Sequence, residues 1–164
     1  YKAGIERINK SQALVSNYIG VTGEAWNNPA KAKELALAQY NSGVEVIFVA
    51  AGASGSGVFD AAEEKKKLAI GVDSNQNWMK PGFILTSMLK RVDVAVFDTI
   101  KAMKSGDFKS GATYFGLENK GVDYSVDEFN DKILSPATRK KAEDLKAQII
   151  AKKIQVPDYY KVPR

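Results

Sequence analysis

Residues 44–59, VEVIFVAAGASGSGVF, decide how this chain is read. Val44, Val46, Ile47, Phe48 and Val49 make an apolar, largely β-branched run. It is far shorter than a membrane span and has the pattern of a buried strand. Gly52-Ala-Ser-Gly55-Ser-Gly57 follows at once, and an amphipathic helical pattern opens at Val58. A strand, a glycine turn and a helix start set backbone N–H groups and the positive end of a helix at the strand's C-terminal tip. In open α/β sheets that tip is where ligands bind.

The same alternation extends outward on both sides. Upstream, YKAGIERINK is helix-like, with Ile5 and Ile8 on one face. No capping residue precedes it, so the chain is expected to begin at a truncated or processed end. Ala13–Gly20 reads as a strand, VTGEAWNN as a polar loop, and Asn28-Pro29 as a helix start, because Asn caps and Pro suits the first turn. Ala32, Leu35, Ala36 and Tyr40 share a face of that helix, which Gly43 closes. Downstream, Leu68–Val72 is a short apolar strand running into Asp73-Ser-Asn-Gln. Phe83–Met88 is the next strand, ending in Leu89-Lys90. Val92, Ala95, Val96, Ile100 and Met103 are spaced for a helix that stops near Gly106. Residues 112–117 read as a further strand and Gly121–Ser125 as a short one. Ser135-Pro136 opens a last helix with Ala142, Leu145 and Ile149 inward, and the tail IQVPDYYKVPR is expected to be extended. Strands alternating with helices through short loops predict an α/β fold with a mainly parallel, Rossmann-like three-layer sheet.

Composition removes several chemistries. The 164 residues fit one ordinary domain, 45% of them hydrophobic and 26% charged. There is no cysteine and no histidine. Cysteine nucleophiles, Ser-His-Asp triads and the usual zinc sites therefore have nothing to be built from. No Walker lysine follows the glycine turn, and no Tyr-x-x-x-Lys pair occurs, so neither nucleotide hydrolysis nor dehydrogenation has support. The reading is a protein without enzymatic activity, metal or cofactor. The net charge of +5 invites nucleic acid as a partner. Only four of the 24 basic residues are Arg, however, and the lysines are scattered, with clusters at 65–67 and 139–141. Base readout favours Arg and phosphate tracking needs a coherent stripe, so a solvated lysine-rich surface is the simpler account.

The residues just beyond each strand are more informative. The four tips lead to Trp26, Gly52, Asp73 and Lys90. On one edge of a parallel sheet they present an aromatic plate, a bare backbone turn, a carboxylate and an ammonium. Such a set suits a polyhydroxylated ligand with a flat ring. Each residue also has a plainer use: Trp26 as a cover for the core, Gly52 for close packing, Asp73 as a cap, Lys90 as a solvated helix start.

At these residues the chain resembles a known family. GVEVIFVAAGASGSGVFDAAEE, AIGVDSNQ, FILTSMLKRVDVAVFDTI, KGVDYS and the closing helix ending IQVP occur in the order found in the basic membrane protein family of substrate-binding lipoproteins, which includes purine nucleoside receptors. The resemblance covers nearly the whole chain. It implies the two-lobed fold of type I periplasmic binding proteins, delivery of ligand to an ABC transporter permease, and an extracytoplasmic place, lipid-anchored or periplasmic. By the same resemblance, Trp26 stands where the family has an aromatic, usually Phe, that stacks on the base. Gly52 stands in a turn contacting ligand through backbone, and Asp73 and Lys90 match residues that hold ribose hydroxyls. Trp for Phe alters the width of the pocket, and VTGEAWNN departs from the usual GSFTDP-like loop.

The resemblance further implies a division of the chain. Residues 1–90 supply most of the second lobe, 91–111 cross back to the first lobe, and 112–164 return. The first lobe, the lipidated cysteine, the signal peptide and the first strand of the second lobe would precede Tyr1. That strand would lie inside the sheet, so residues 1–164 are expected not to be self-sufficient and to need the missing lobe or a complementing chain. A ligand-sensing regulatory domain on the same fold, controlling transcription or signalling, is the alternative to transport.

Overall fold

The structure is a computed structural model, in which residues 1–158 are described. Five helices and four strands follow one another in the order α1 (Lys2–Ile8), α2 (Pro29–Asn41), β1 (Val46–Phe48), α3 (Gly55–Lys65), β2 (Leu68–Asp73), β3 (Ile84–Lys90), α4 (Val92–Ser105), β4 (Val122–Tyr124) and α5 (Pro136–Ile150). Short 3₁₀ turns occupy Gly23–Asn27, Gly52–Ser54 and Asn77–Met79. The strands form one sheet in the order β1-β2-β3-β4. β1, β2 and β3 are parallel, and β4 runs antiparallel to β3. The α/β architecture with a predominantly parallel sheet is as the sequence predicts.

The helices start where their chemistry says they should. Asn28 Oδ1 accepts the Lys31 N–H at 3.0 Å, with Pro29 in the first turn of α2. Ser135 Oγ accepts the Thr138 N–H at 3.2 Å at the head of α5. α2 buries Ala32, Ala36 and Tyr40, while α3 buries Val58, Phe59, Ala61 and Ala62. Small residues on both helices let their axes come close. A Cβ on Gly57 would lie 1.9 Å from the Pro29 carbonyl oxygen, so only glycine permits this crossing. Tyr40 reaches across to donate its hydroxyl to the Leu68 carbonyl at 2.8 Å, tying the end of α2 to the start of β2. Burial raises its pKa well above the usual phenol value.

Two expected strands do not form. Residues 12–18 have no regular structure, because a strand exists only against a partner and, among the described residues, none lies beside this segment. It is separated from the edge of β1 by an open groove of about 1160 Å³. Residues 112–117 likewise form no ladder. There Asn119 accepts the Gly116 N–H at 2.7 Å and donates to the Tyr114 carbonyl at 3.0 Å, and Gly121 N–H bonds Gly116 at 2.8 Å. The side chain folds the backbone into a turn with the groups a ladder would have used. Of the tail, 155–158 has no regular structure, and the rest of the expected extended segment lies outside the described residues.

Candidate functional site

β1, β2 and β3 are parallel, so their C-terminal ends share one edge of the sheet. Gly52 follows β1, and Asp73 and Lys90 are the last residues of β2 and β3. Gly52 sits at φ +56°, a left-handed conformation that favours glycine. Trp26 lies against it: a Cβ there would come within 3.3 Å of Trp26 Cε3 and 3.2 Å of its carbonyl oxygen. The indole remains 59% exposed. Trp26 and Gly52 thus form one pair, an aromatic side chain beside bare backbone.

Behind them, Ser54 holds the Trp26 loop in place. Its buried hydroxyl donates to the Ala25 carbonyl at 2.6 Å and accepts the Asn28 N–H at 2.7 Å. The three glycines of the turn have three different uses. Gly52 meets Trp26, Gly55 faces Val49 at ordinary contact distance, and Gly57 lets α3 cross α2.

Asp73 and Lys90 form the second pair, with Lys90 Nζ 2.7 Å from Asp73 Oδ1. Asp73 is held in a strained conformation at φ +70°, and the Ser74 N–H bonds the Val72 carbonyl at 2.9 Å, closing a γ-turn around it. Both side chains are more than half exposed, and an ion pair so placed contributes at most about 1 kcal/mol.

A polar cluster, buried at Asn77, Ser87 and Asn130, supports that turn. Gln76 Oε1 accepts the Val72 N–H at 2.8 Å, and Ser87 Oγ accepts the Gln76 N–H at 3.0 Å. Ser87 in turn donates to Asn77 Oδ1 at 2.9 Å, and Asn77 donates to Asp127 at 3.0 Å. Asn130 donates to the Leu85 carbonyl at 2.9 Å and accepts the Asp127 N–H at 2.9 Å. Gly71 makes room for it, since a Cβ there would lie 2.7 Å from Ser87 Oγ and 2.8 Å from Gln76 Oε1. None of these supports was identified from sequence. The available signal was the polar run Asp73-Ser-Asn-Gln-Asn directly after an apolar strand, with a glycine inside that strand.

The groove beside β1 is a separate feature. It touches Trp26 but not Gly52, Asp73 or Lys90. Among the described residues, no group of three or more acidic side chains could hold a metal ion. No helix there is long and apolar enough to cross a membrane.

Residues 1–159 match the family model described as ABC transporter substrate-binding protein PnrA-like. The ABC transporter nucleoside-binding protein BmpA of Lactococcus lactis is 31% identical over 96% of this chain and 47% of its own length. Two solved structures share the fold at 25% identity. One is an ABC transporter solute-binding protein from Aeropyrum pernix, with a TM-score of 0.74, covering 97% of this chain and 52% of that one. The other is a transcriptional activator of the comK gene from Bacillus halodurans, with a TM-score of 0.79, covering 94% and 52%. The chain spans about half the length of the curated relatives it matches.

Proposed function

The chain belongs to the PnrA-like family of ABC transporter substrate-binding proteins, and on that footing we propose that it supplies one wall of a two-lobed site that captures a nucleoside, a purine nucleoside by preference, without altering it. The observation that carries this reading is the Asp73–Lys90 pair at 2.7 Å on a strained turn at the ligand-binding edge of the sheet. A carboxylate accepts from two neighbouring hydroxyls and an ammonium donates to their oxygens, so the pair suits a ribose diol. Trp26 offers its exposed face to the base, and Gly52 lets backbone approach where a side chain would intrude.

The family supports an ABC permease as the macromolecular partner and an extracytoplasmic, membrane-anchored place of work. In this reading residues 91–111 cross to the opposing lobe. The exposed apolar residues of α4, among them Val96, Phe97, Ile100 and Met103, suit burial there. The likeness to a transcriptional activator favours a second reading, a ligand-sensing regulatory domain with the same pocket. The two differ in what accompanies the lobes in the full-length protein: a lipid-anchoring cysteine for transport, a DNA-binding helical unit for regulation.

The test is tryptophan fluorescence of the full-length protein titrated with purine nucleosides, pyrimidine nucleosides, free bases and sugars. Saturable purine nucleoside binding that is lost in Asp73→Ala supports the reading. Undiminished affinity in that variant overturns the ribose assignment, and binding of sugars alone overturns the nucleoside.

A further inference from the structure

We propose that Asp127 is a positioning residue for ligand capture: it fixes the turn that presents the Asp73 carboxylate, and so sets how well the site holds a vicinal diol. Asp127 acts at a distance, through Asn75, Asn77, Ser87 and Gln76. The diol rests on the nucleoside reading, whereas the hold on the turn does not.

Asp73 does not hold its own geometry. Its φ of +70° is one that a side chain disfavours. Its ion-pair partner Lys90 is more than half exposed, so that pair does not by itself fix the backbone. The carboxylate therefore points where the segment after it is held, and that segment is caught at two places. Near Asp73, the Val72 N–H donates to Gln76 Oε1 at 2.8 Å and the Gln76 N–H donates to Ser87 Oγ at 3.0 Å. Farther on, the side-chain amides of Asn75 and Asn77 both donate to Asp127 Oδ2, at 2.6 and 3.0 Å. The two places are joined. Ser87 donates to Asn77 Oδ1 at 2.9 Å, and the Asn77 N–H donates to Asn75 Oδ1 at 3.1 Å. Asn77 and Ser87 are fully buried, where water does not compete for such bonds.

Asp127 is placed to orient its neighbours and not to pair with a cation. Its Oδ1 accepts the Phe129 N–H at 2.9 Å, so both carboxylate oxygens are engaged by N–H donors. None of the ion pairs among the described residues includes it. Hydrogen bonds to an ionised carboxylate are about twice as strong as neutral ones, which suits a residue that must hold two amides. The loop carrying Asp127 is itself fastened to β3, the strand that ends in Lys90. The Ser125 N–H donates to the Ser87 carbonyl at 3.0 Å, the Thr86 hydroxyl to the Ser125 carbonyl at 2.8 Å, and the Asn130 amide to the Leu85 carbonyl at 2.9 Å. Asp127 thus ties the turn after Asp73 to the strand that carries Lys90. A carboxylate fixed in advance loses little freedom on capture, and that favours affinity.

The experiment uses the full-length protein as wild type, as Asp127→Ala, Asn75→Ala and Asp73→Gly, and with Asp127→Ala and Asp73→Gly combined. Amide hydrogen exchange at Val72 and Gln76 reads the turn without ligand. Calorimetric titration with adenosine, guanosine, adenine and guanine reads the site. In Asp127→Ala, exchange at Val72 and Gln76 is expected to quicken by about tenfold or more. Nucleoside affinity is expected to fall by about tenfold, with free-base affinity changed by less than about twofold. In the Asp73→Gly background, Asp127→Ala is expected to change nucleoside affinity by less than about twofold, because the carboxylate it positions is gone. Unchanged exchange in Asp127→Ala overturns the proposal. Equal losses for nucleosides and bases overturn it in favour of a merely stabilising role. An undiminished loss in the Asp73→Gly background overturns the route through Asp73. Should Asp127→Ala fail to fold, Asn75→Ala removes the 2.6 Å bond from an exposed position and is judged by the same outcomes. Absence of nucleoside binding by the wild type would overturn the nucleoside reading, while the exchange rates would still decide whether Asp127 holds the turn.

Discussion

Ser54 and Ala25 stand 29 residues apart in sequence, yet the Ser54 hydroxyl donates to the Ala25 carbonyl at 2.6 Å. The same oxygen accepts the Asn28 N–H, so one buried side chain closes the loop carrying Trp26 onto the glycine turn. Ser54→Ala leaves both backbone groups without this partner and is expected to cost about 1–3 kcal/mol. In a Trp78→Phe background, a lower thermal midpoint and a shifted Trp26 emission would report the released loop. An unchanged emission spectrum would show that Ser54 does not position the indole.

The glycines of the turn predict a graded series. Gly57→Ala sets a methyl 1.9 Å from the backbone oxygen of Pro29 and must drive α2 and α3 apart, so the packed form should be lost. Gly52→Ala places a side chain at φ +56° against Trp26 and is expected to cost about 1–2 kcal/mol. Gly55→Ala meets only Val49 at 3.6 Å and should be tolerated. Circular dichroism melts of the three variants should fall in that order.

Asp73 separates backbone strain from binding. Asp73→Gly accepts φ +70° without penalty while deleting the carboxylate, so it should preserve or raise stability and still weaken nucleoside binding. A lost charge-assisted hydrogen bond of about 1.5–3 kcal/mol corresponds to roughly 10- to 150-fold in affinity. Lys90→Met should weaken nucleosides more than free bases. Calorimetric titration of both variants tests this, and equal losses for nucleosides and bases would remove Lys90 from the ribose.

Arg91 predicts a pH dependence at the head of α4. Its guanidinium donates to both oxygens of Asp93, at 3.0 and 2.7 Å, and holds that carboxyl down to about 2 from the ordinary 3.8. A carboxylate lowered in the folded state binds protons less readily than in the unfolded chain. Its contribution is therefore complete above pH 3.8 and is lost as pH falls toward 2. Carboxyl NMR titration should place Asp93 near pH 2. In Arg91→Gln the midpoint should return toward 3.8, and this part of the acid dependence of stability should vanish.

Local chemistry was legible in the sequence where cause and effect lie close together. Asn28-Pro29 and Ser135-Pro136 announce caps that reach three residues on, and the apolar periodicity of α2 and α3 marks the faces that bury Ala36 and Ala61. Pairing was less legible. Residues 13–20 have the alternation of a strand, but alternation describes side chains while a ladder requires a second backbone. Gly52, Gly55 and Gly57 look alike in sequence, and what sets Gly52 and Gly57 apart is Trp26 and Pro29, each more than twenty residues away. The Asn77–Asp127 contact joins residues 50 apart, and no short-range pattern encodes it. Gly52, Asp73 and Lys90 were identifiable because each stands at the end of a strand, whereas Trp26 was singled out through an expected strand at 13–20 that does not form. That the structure joins them as two pairs, Trp26 on Gly52 and Lys90 on Asp73, was not legible.

Trp26 belongs to two surfaces at once, lying on Gly52 at the sheet edge and lining the groove beside β1. Anything that fixes the groove wall restricts the freedom of the indole, and anything that clamps the indole restricts the wall. Linked equilibria are reciprocal, so anything seated in the groove that tightened ligand capture by some factor would itself be held more tightly by captured ligand, by the same factor. One aromatic ring thereby joins the groove beside β1 to the edge of the sheet where Gly52 lies.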